Sequence, residues 1–455
     1  PLRREGASSA LPSGAGVRGA ATPHVAARFP QSDSTSSQYQ RHHHDTEVGS
    51  DEDSSIDQVM PQVTFEEPLH DDPGVEKRRQ NRRALGGMRC PRRAVGRLPQ
   101  LKRSGAEVEI IVKKFINDYP TVVKDALDAL KVPDHPGPSD EHLAELRRRL
   151  MNKFRNSGTL GDPMPEVRTE LDAELLEAWR LYAGDPDYEV CQWLVRGAPA
   201  GIDYHTAGHS VGIFPPPGDK IKEAKAINYY HDDHSNYESF DLDPAADEEI
   251  QKLIDTGFVD VFGSYGDLLS ASRGVPILSK LKMETKVLPD RIKRRIIMDC
   301  LMSGTNGISK QAERVVLPRI GDVIFDTLSL FELLSDGEEV RYLVLDFVDA
   351  FFRVPLNPDE RHYYVIAFQG KFIRWNRIAQ GSTNGPQSFG RLAALIGRLT
   401  QSVIPVDMGR LHIFTDDPIL KMRGKPKDLD ATVALAALVW RVMGLKLAFH
   451  KGQYG

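Results

Sequence analysis

The stretch "LHIFTDDPIL", residues 411–420, decides how the C-terminal half of this chain is interpreted. A strand-like run leads into two adjacent aspartates, Asp416 and Asp417, and Pro418 follows them directly. Asp-Asp-Pro is typical of an ordinary surface turn. Paired carboxylates at the end of a strand are also ligands that hard divalent cations accept. The rest of the sequence has to distinguish a turn from a metal site.

The composition describes a chain with no strong overall preference for one class of partner. Its 455 residues predict about two to three domains. Apolar residues make up 40%, slightly below the globular average, which indicates that part of the chain is not packed. The net charge of −5, from 59 basic and 64 acidic residues, is too small to identify a partner, so local clusters have to be considered instead.

The three cysteines, Cys90, Cys191 and Cys300, are far apart and odd in number. The sequence therefore predicts neither a disulfide framework nor a Cys-x-x-Cys metal pair. A reducing intracellular compartment, cytoplasmic or nuclear, fits this pattern. No apolar run reaches the roughly 18 residues that a membrane span needs, so no membrane association is expected.

The organisation changes along the chain. Residues 1–104 are predicted to be a disordered tail, because they are small, polar and poor in aliphatic side chains. The basic segment at 76–103 has two open interpretations, a nucleic-acid-binding or nuclear-import sequence and a solvated linker in which Gly and Pro break any helix. Residues 105–200 have helical spacing, with a Ser139 cap and a Gly184 stop, and residues 201–239 are interpreted as a linker or extended arm.

Residues 240–455 alternate short strands and helices, which predicts an α+β domain. Gln369-Gly370 is predicted to form the turn of a hairpin. Asp346 closes the apolar run "YLVL", much as Asp416 and Asp417 follow "LHIF". If these strands are neighbours in one sheet, the carboxylates crowd together and some protonate unless a cation is present. Mg²⁺ takes such oxygens and leaves positions for phosphates.

The order of motifs is more specific than any one of them. Along the chain come "KRRIIMD" (293–299), "VLDFVDAFFRVPL" (344–356), "AQGSTNGPQSF" (379–389), "FTDD" (414–417) and "GLKLAFHKGQ" (444–453). This series resembles the fingers and palm of a reverse transcriptase of the kind encoded by retrotransposons and retroviruses, over roughly residues 240–455. The resemblance implies an antiparallel palm sheet with helices on one face, preceded here by the small helical region and the disordered tail.

The resemblance also implies an activity, the transfer of dNTPs to a primer 3′-OH on an RNA or DNA template. Asp346, Asp416 and Asp417 would be catalytic metal ligands for two Mg²⁺ ions, with Mn²⁺ as a possible substitute. Such ions can clamp an in-line phosphoryl displacement. The implied nucleotide-binding residues are Arg295, Lys286, Asp349, Ala350, Phe351, Gln380, Gly381 and Lys451.

Several of these residues have a specific implied role. Arg295, and more weakly Lys286, would bind triphosphate oxygens. The Phe351 ring would leave no room for a 2′-hydroxyl, whereas an RNA-dependent RNA polymerase usually places a carboxylate at this position. Gln380 and Gly381 would lie over the nucleotide and template base, with glycine allowing close backbone approach. Lys451 would donate a proton to the pyrophosphate leaving group.

The sequence departs from the family pattern in three respects. Pro418 follows the aspartate pair where an aliphatic strand residue is usual, and a proline removes a ladder donor. "DCLMSGTN" lacks the Arg and Asn that often continue the fingers strand. The chain is expected to be truncated before the primer grip and thumb. Truncation and Pro418 favour an alternative, a catalytically inactive, truncated or co-opted nucleic-acid-binding relative. The oligomeric state is left open.

Overall fold

The structure is a computed structural model, and it describes residues 89–159, 169–203, 211–217, 226–287 and 292–455. Most of the predicted tail, including residues 76–88 of the basic segment, lies outside the described residues. Within them the secondary structure is mixed, with helices that precede and cover antiparallel sheets. The α+β class predicted from the sequence is confirmed.

The helical region precedes the palm sequence. Its helices are α1 (Pro91–Arg97), α2 (Pro99–Asp118), α3 (Thr121–Ala129), α4 (Asp140–Asn156), α5 (Ala173–Ala183) and α6 (Tyr188–Arg196). The Ser139 hydroxyl accepts the His142 N–H at 3.3 Å, and Gly184 ends α5 with a φ of 63°. The predicted cap and stop are therefore confirmed.

The helical region begins at Pro91, so the prediction of disorder up to residue 104 is wrong for residues 91–104. Pro91 and Pro99 each occupy the first turn of a helix, where a missing N–H costs nothing. They start helices rather than break them. Ala94 and Leu101 are buried, so tertiary packing organises a segment whose charge density suggested a solvated tail.

The fingers contain short helices and two small sheets. In chain order the elements from residue 238 to residue 375 are α7 (Glu238–Asp241), α8 (Ala246–Asp255), β1 (Val259–Phe262), α9 (Tyr265–Ser270), β2 (Leu281–Val287), β3 (Ile292–Met298), α10 (Thr305–Ile308), α11 (Ile320–Phe331), β4 (Glu339–Val344), β5 (Val365–Phe368) and β6 (Lys371–Trp375). Of these, α11 and β4 belong to the palm. Strands β2 and β3 form an antiparallel ribbon, while β1, β6 and β5 form a sheet in that order. Gln369 and Gly370 both have positive φ in the β5–β6 turn, as a two-residue hairpin loop prefers, which confirms that prediction.

The palm is a four-stranded antiparallel sheet in the order β7-β8-β4-β9. It is completed by α12 (Gly385–Val403), β7 (Gly409–Phe414), β8 (Asp417–Gly424), α13 (Pro426–Val442) and β9 (Gln453–Tyr454), with 3₁₀ turns at 351–353, 358–363 and 449–451. Leu411 and Leu420 pack with α12 and α13 on one face. His412 and Tyr342 bond to α11 on the other face, so helices lie on both faces where the sequence indicated one.

One hydrophobic core joins the helical region to the palm. Side chains from α1–α6 share this core with α12, α13 and the palm strands. Two arginines of α12 cross into the helical region, where Arg391 pairs with Asp187 and Arg398 Nη2 lies 2.8 Å from Asp185 Oδ1. Arg398 and Asp185 are fully buried, and a buried charge that loses its partner is strongly destabilising. The helical region and the palm therefore share one hydrophobic core and buried ion pairs.

The segment interpreted as an arm also packs on the palm. Residues 204–210 and 218–225 lie outside the described residues, but Ile213 and Phe214 between them are buried. The N–H of Gly212 donates to Glu313 Oε1 at 2.7 Å, and the N–H of Phe214 donates to Oε2 at 3.2 Å. The Glu313 carboxylate therefore fixes this stretch against the palm.

Candidate active site

The hairpin between β7 and β8 presents the aspartate pair. Phe414 pairs with Asp417, so Thr415 and Asp416 form the two-residue turn. Thr415 has a φ of 59°, a left-handed conformation that is rare for a β-branched residue. Strain of this kind persists only where the surrounding structure imposes it. The turn thereby places Asp416 at the tip of the hairpin, and Asp417 opens β8.

Asp346 lies beside this turn at the end of β4. The N–H of Phe347 donates to the Asp416 carbonyl at 2.9 Å, and the Asp346 carbonyl accepts the N–H of Ala448 at 2.9 Å. Burial raises the pKa of Asp416, and the negative charge of Asp346 adds to the rise. Burial and the charges of Asp416 and Asp346 also raise the pKa of Asp417. The three predicted aspartates are therefore brought together.

A lysine supplies positive charge to this acidic group. Lys451 Nζ lies 2.5 Å from Asp346 Oδ2. Among the described residues, no three His, Cys, Asp or Glu side chains are grouped so as to hold a metal ion. The three side chains still fit a hard cation, because all of them are carboxylates. Burial and mutual repulsion raise the pKa values of Asp416 and Asp417, and a bound cation would relieve that repulsion. Divalent cations would compete with the lysine ammonium for Asp346.

Pro418 fits the hairpin without disrupting it. Its carbonyl accepts the N–H of Leu345 at 3.2 Å. In an antiparallel ladder, the N–H of the same residue would point at that same neighbour. The proline therefore removes only the reciprocal bond to Leu345. Strand β4 ends at Val344, one residue before Leu345. The pairing of Phe414 with Asp417 is unaffected.

A cleft of about 420 Å³ has Asp349, three residues after Asp346, in its lining. Arg295, Asp349 and Gln380, three of the predicted nucleotide-binding residues, line it together with Phe352. Arg295 is exposed on β3, and its positive charge lowers the pKa of Asp416, against the rise that burial causes. Burial raises the pKa of Asp349, against the charges of Lys446 and Lys451. The cleft thus combines a basic wall with a carboxylate end.

The Gln380-Gly381 segment is fixed to the fingers by its backbone. The Gln380 carbonyl accepts the N–H of Met298 at 3.1 Å. Gly381 has a φ of 108°, and a Cβ there would lie 2.0 Å from the Met298 carbonyl oxygen. Glycine is required because β3 passes too close for any side chain. The close approach predicted for this glycine is therefore made to the fingers strand.

Phe351 begins the short 3₁₀ segment 351–353, and Ala350 is the residue before it. Ala350 is buried. Phe351 is half-buried, and its ring centroid lies 5.6 Å from that of Phe389 on α12. Phe352, which stacks on Phe258 with centroids 5.0 Å apart, lines the cleft instead. The ring expected beneath the nucleotide sugar is thus held by the palm helix.

Comparison with known proteins now identifies this part of the chain. Residues 294–455 match the family model described as reverse transcriptase (RNA-dependent DNA polymerase). These residues are a reverse transcriptase domain. No curated protein matches the chain.

Solved structures similar to the chain include foamy virus proteins. The native prototype foamy virus protease-reverse transcriptase is 15% identical, with a TM-score of 0.35, over 51% of this chain and 26% of that one. The foamy viral protease-reverse transcriptase dRH in complex with double-stranded DNA is 14% identical, with a TM-score of 0.36, over 64% and 45%. The chain thus spans less than half the length of these proteins, and likenesses this remote carry no argument about its activity.

Some charged residues near the reverse transcriptase site differ from the prediction. Lys286 is exposed on β2 opposite Lys293, and it does not line the cleft. The positive charge of Lys293 instead lowers the pKa of Asp417, against the rise that burial causes. Alternation along β3 places Lys293 and Arg295 on one face, so the sequence contained the signal for Lys293. Lys446, which bonds Glu170 at 2.9 Å, had no comparable signal because its partner is distant in sequence.

Within the described residues, no helix is long and apolar enough to span a membrane.

Proposed function

We propose that this reverse transcriptase domain, from a retroelement Pol-type protein, is an RNA-directed DNA polymerase that adds dNTPs to a primer 3′-OH. One observation carries the proposal: Asp346 after β4 lies beside the Asp416 turn, and the two aspartates interact electrostatically with Asp349 and Arg295, which line the cleft together with Gln380. A triphosphate in that cleft would have its α-phosphorus beside the aspartates and its outer phosphates against basic side chains.

Asp346, Asp416 and Asp417 would hold two divalent cations, Mg²⁺ or Mn²⁺. When bound, such ions supply charge neutralisation to phosphoryl oxygens and make a hydroxyl more acidic. The raised pKa values of Asp416 and Asp417 support this assignment, because a cation relieves the repulsion that raises them. In the transfer, the primer 3′-oxygen forms a bond to the α-phosphorus, and the bond to the pyrophosphate oxygen breaks.

The other residues orient the reactants. Arg295 binds triphosphate oxygens, while Gln380 and Gly381 support the base and template. Phe351 excludes a 2′-hydroxyl, which favours DNA over RNA synthesis. Lys451 protonates the departing pyrophosphate once it has left Asp346. The partners are an RNA or DNA template–primer and dNTPs.

The alternative, an inactive nucleic-acid-binding relative, was suggested partly by Pro418. That argument is weakened, because the proline costs the hairpin a single donor and leaves the pairing of Asp417 intact. No observation specifically favours the alternative.

Primer extension tests the proposal. The protein is supplied with oligo-dT-primed poly(rA), dTTP and Mg²⁺ or Mn²⁺, alongside Asp416→Asn and the matched control Asp336→Asn, which alters an exposed loop. We expect extension by the parent and control, and a loss of at least about a hundredfold in Asp416→Asn. Equal incorporation by parent and Asp416→Asn would refute the assignment of the site.

A further inference from the structure

A short segment just before α5 is fixed to the palm by hydrogen bonds. The Thr169 hydroxyl donates to the Arg353 carbonyl at 2.7 Å. The Asp172 N–H donates to the Met443 carbonyl at 3.0 Å. These contacts join the start of the helical bundle helix α5 to the turn that follows β4 and to the end of α13. The segment is therefore held beside the palm loops that surround the proposed active site.

Glu170 lies inside this segment, and its carboxylate binds two cations of the palm. Oε2 pairs with the Arg353 guanidinium, and Oε1 accepts a hydrogen bond from the Lys446 ammonium at 2.9 Å. A Cβ on Gly444 would lie 2.2 Å from the Glu170 carbonyl oxygen, so the two stretches of backbone are in direct contact. Glu170 thus joins the turn that contains Arg353 to the segment that contains Lys446.

Arg353 extends this contact to the start of its own turn. Its side chain is 3% exposed. Nε donates to the Val348 carbonyl at 3.1 Å, and Nη2 lies 3.5 Å from Asp349 Oδ2. The carboxylate of Glu170 is the closer of these two acidic partners. A buried guanidinium depends strongly on its partners, so Glu170 determines how firmly Arg353 is held against Asp349.

Asp349 is the residue of this turn that lines the cleft. It has a φ of 53°, a left-handed conformation that is uncommon for residues with a side chain. Its carbonyl accepts the Arg353 N–H at 3.1 Å, and the N–H of the preceding Val348 donates to the Lys446 carbonyl at 2.9 Å. A conformation of this kind persists only where the surroundings impose it. Arg353 and Lys446, both bound by Glu170, supply those contacts.

We propose that Glu170 is a positioning residue of the polymerase site. Its carboxylate holds Arg353 and Lys446, and through them it fixes the turn in which Asp349 lines the cleft that takes the triphosphate. The inference rests on the proposed function, because that function assigns a dNTP to the cleft. It also gives the helical region, which precedes the 294–455 match, a role in nucleotide binding.

Nucleotide binding without chemistry tests the inference. The full chain is given Mg²⁺ and poly(rA) primed with a dideoxy-terminated oligo-dT, and the dissociation constant of dTTP is measured by calorimetric titration. We expect Glu170→Gln to raise this constant by about three- to fivefold, on the order of a lost, partly exposed ion pair. A purely structural role would lower the fraction of protein that binds dTTP and leave the dissociation constant of the folded fraction unchanged.

The matched control is Glu174→Gln in the same helical region. Glu174 is 48% exposed and Glu170 is 50% exposed. Glu174 Oε2 also pairs with an arginine, 2.8 Å from Arg147 Nη2, but Arg147 lies on α4. We expect Glu174→Gln to bind dTTP as the parent does. An equal rise in both variants would overturn the inference, since a general loss of charge would then explain it. An unchanged constant in Glu170→Gln would also overturn it.

A double-mutant cycle tests the route through Asp349. We expect Glu170→Gln to raise the dissociation constant of dTTP less in an Asp349→Asn protein than in the parent, because residues that act through one another are not additive. An equal rise in both backgrounds would overturn this route.

The outcomes also separate this inference from the proposed activity. A parent that binds dTTP but never extends a primer would refute the polymerase alone, and the rise in Glu170→Gln would still support the positioning role. Extension by the parent, with an unchanged dTTP constant in Glu170→Gln, would refute the positioning role alone. A parent that binds no dTTP would overturn both.

Discussion

The ammonium of Lys451 lies 2.5 Å from Oδ2 of Asp346, so one of the three aspartates proposed to hold the metal ions is paired with a side chain of its own domain. Lysine and divalent cations therefore compete for Asp346. We expect Lys451→Gln to strengthen divalent-ion binding by about two- to fivefold, the equivalent of a partly exposed ion pair, and to slow nucleotide transfer. Titration of Mn²⁺ followed by intrinsic fluorescence, together with single-turnover extension, measures both. Weaker Mn²⁺ binding in the variant would contradict this competition.

The aspartates also predict a pH dependence of stability. The folded pKa of Asp416 lies above its unfolded value, so this carboxyl binds its proton more tightly in the folded chain than in the unfolded chain. The contribution of Asp416 to the free energy of unfolding without divalent ions should therefore fall as pH rises through the interval above about pH 4. Asp416→Asn should reduce this fall and raise Tm at pH 7. Thermal unfolding in EDTA across pH checks it. A lower Tm in the variant at neutral pH would contradict the cause we assign.

Gly381 should tolerate no side chain. A Cβ would lie 2.0 Å from the Met298 carbonyl oxygen, at a φ of 108°. We expect Gly381→Ala to lower the free energy of unfolding by at least about 2 kcal/mol, from clash and backbone strain together. Gly370→Ala is the control, since its φ of 72° is also positive but the space around it is open. Its loss should be about 1 kcal/mol. Urea unfolding distinguishes the two, and equal losses would remove the close approach as an explanation.

The buried ion pair between Arg398 and Asp185 should be sensitive to the loss of one member. Both side chains have no exposed surface. We expect Asp185→Asn to destabilise the protein by about 3–5 kcal/mol, because it removes the carboxylate that forms two bonds to a fully buried guanidinium. The double change Asp185→Leu/Arg398→Met should cost less than the single one. Urea denaturation of the full chain measures both, and a larger loss in the double variant would show that the pair itself stabilises the fold.

Phe351 tests sugar selection. If its ring excludes a 2′-hydroxyl, Phe351→Ala should raise incorporation of ribonucleotides relative to deoxynucleotides by about tenfold or more. Phe331→Leu is the control, because Phe331 is 52% exposed on α11 and does not line the cleft. Competition between rNTPs and dNTPs in single-nucleotide extension gives the ratio. An unchanged preference for dNTPs in Phe351→Ala would leave Phe351 as a core residue alone.

Local patterns predicted much of the fold and of the candidate site. The Gln369-Gly370 turn, the Ser139 cap and the hairpin around Asp416 depend on neighbouring residues, and the structure has all three. Other features depend on residues distant in sequence. The helix that starts at Pro91 is organised by packing against α12, and the Lys451–Asp346 pair joins residues 105 positions apart. Neither the packing of this helix nor the Lys451–Asp346 pairing is predicted by a hydrophobic period or a local motif.

The shared core of the helical region and palm has a consequence for defining the folding unit. The family match starts at residue 294, but a protein cut there would lose Asp185 and Asp187, the buried carboxylates that pair with Arg398 and Arg391, and would expose an apolar helix face. Cooperative unfolding of the palm therefore includes the helices from Pro91 onward. A recombinant reverse transcriptase domain should begin before Pro91, and shorter versions should be insoluble.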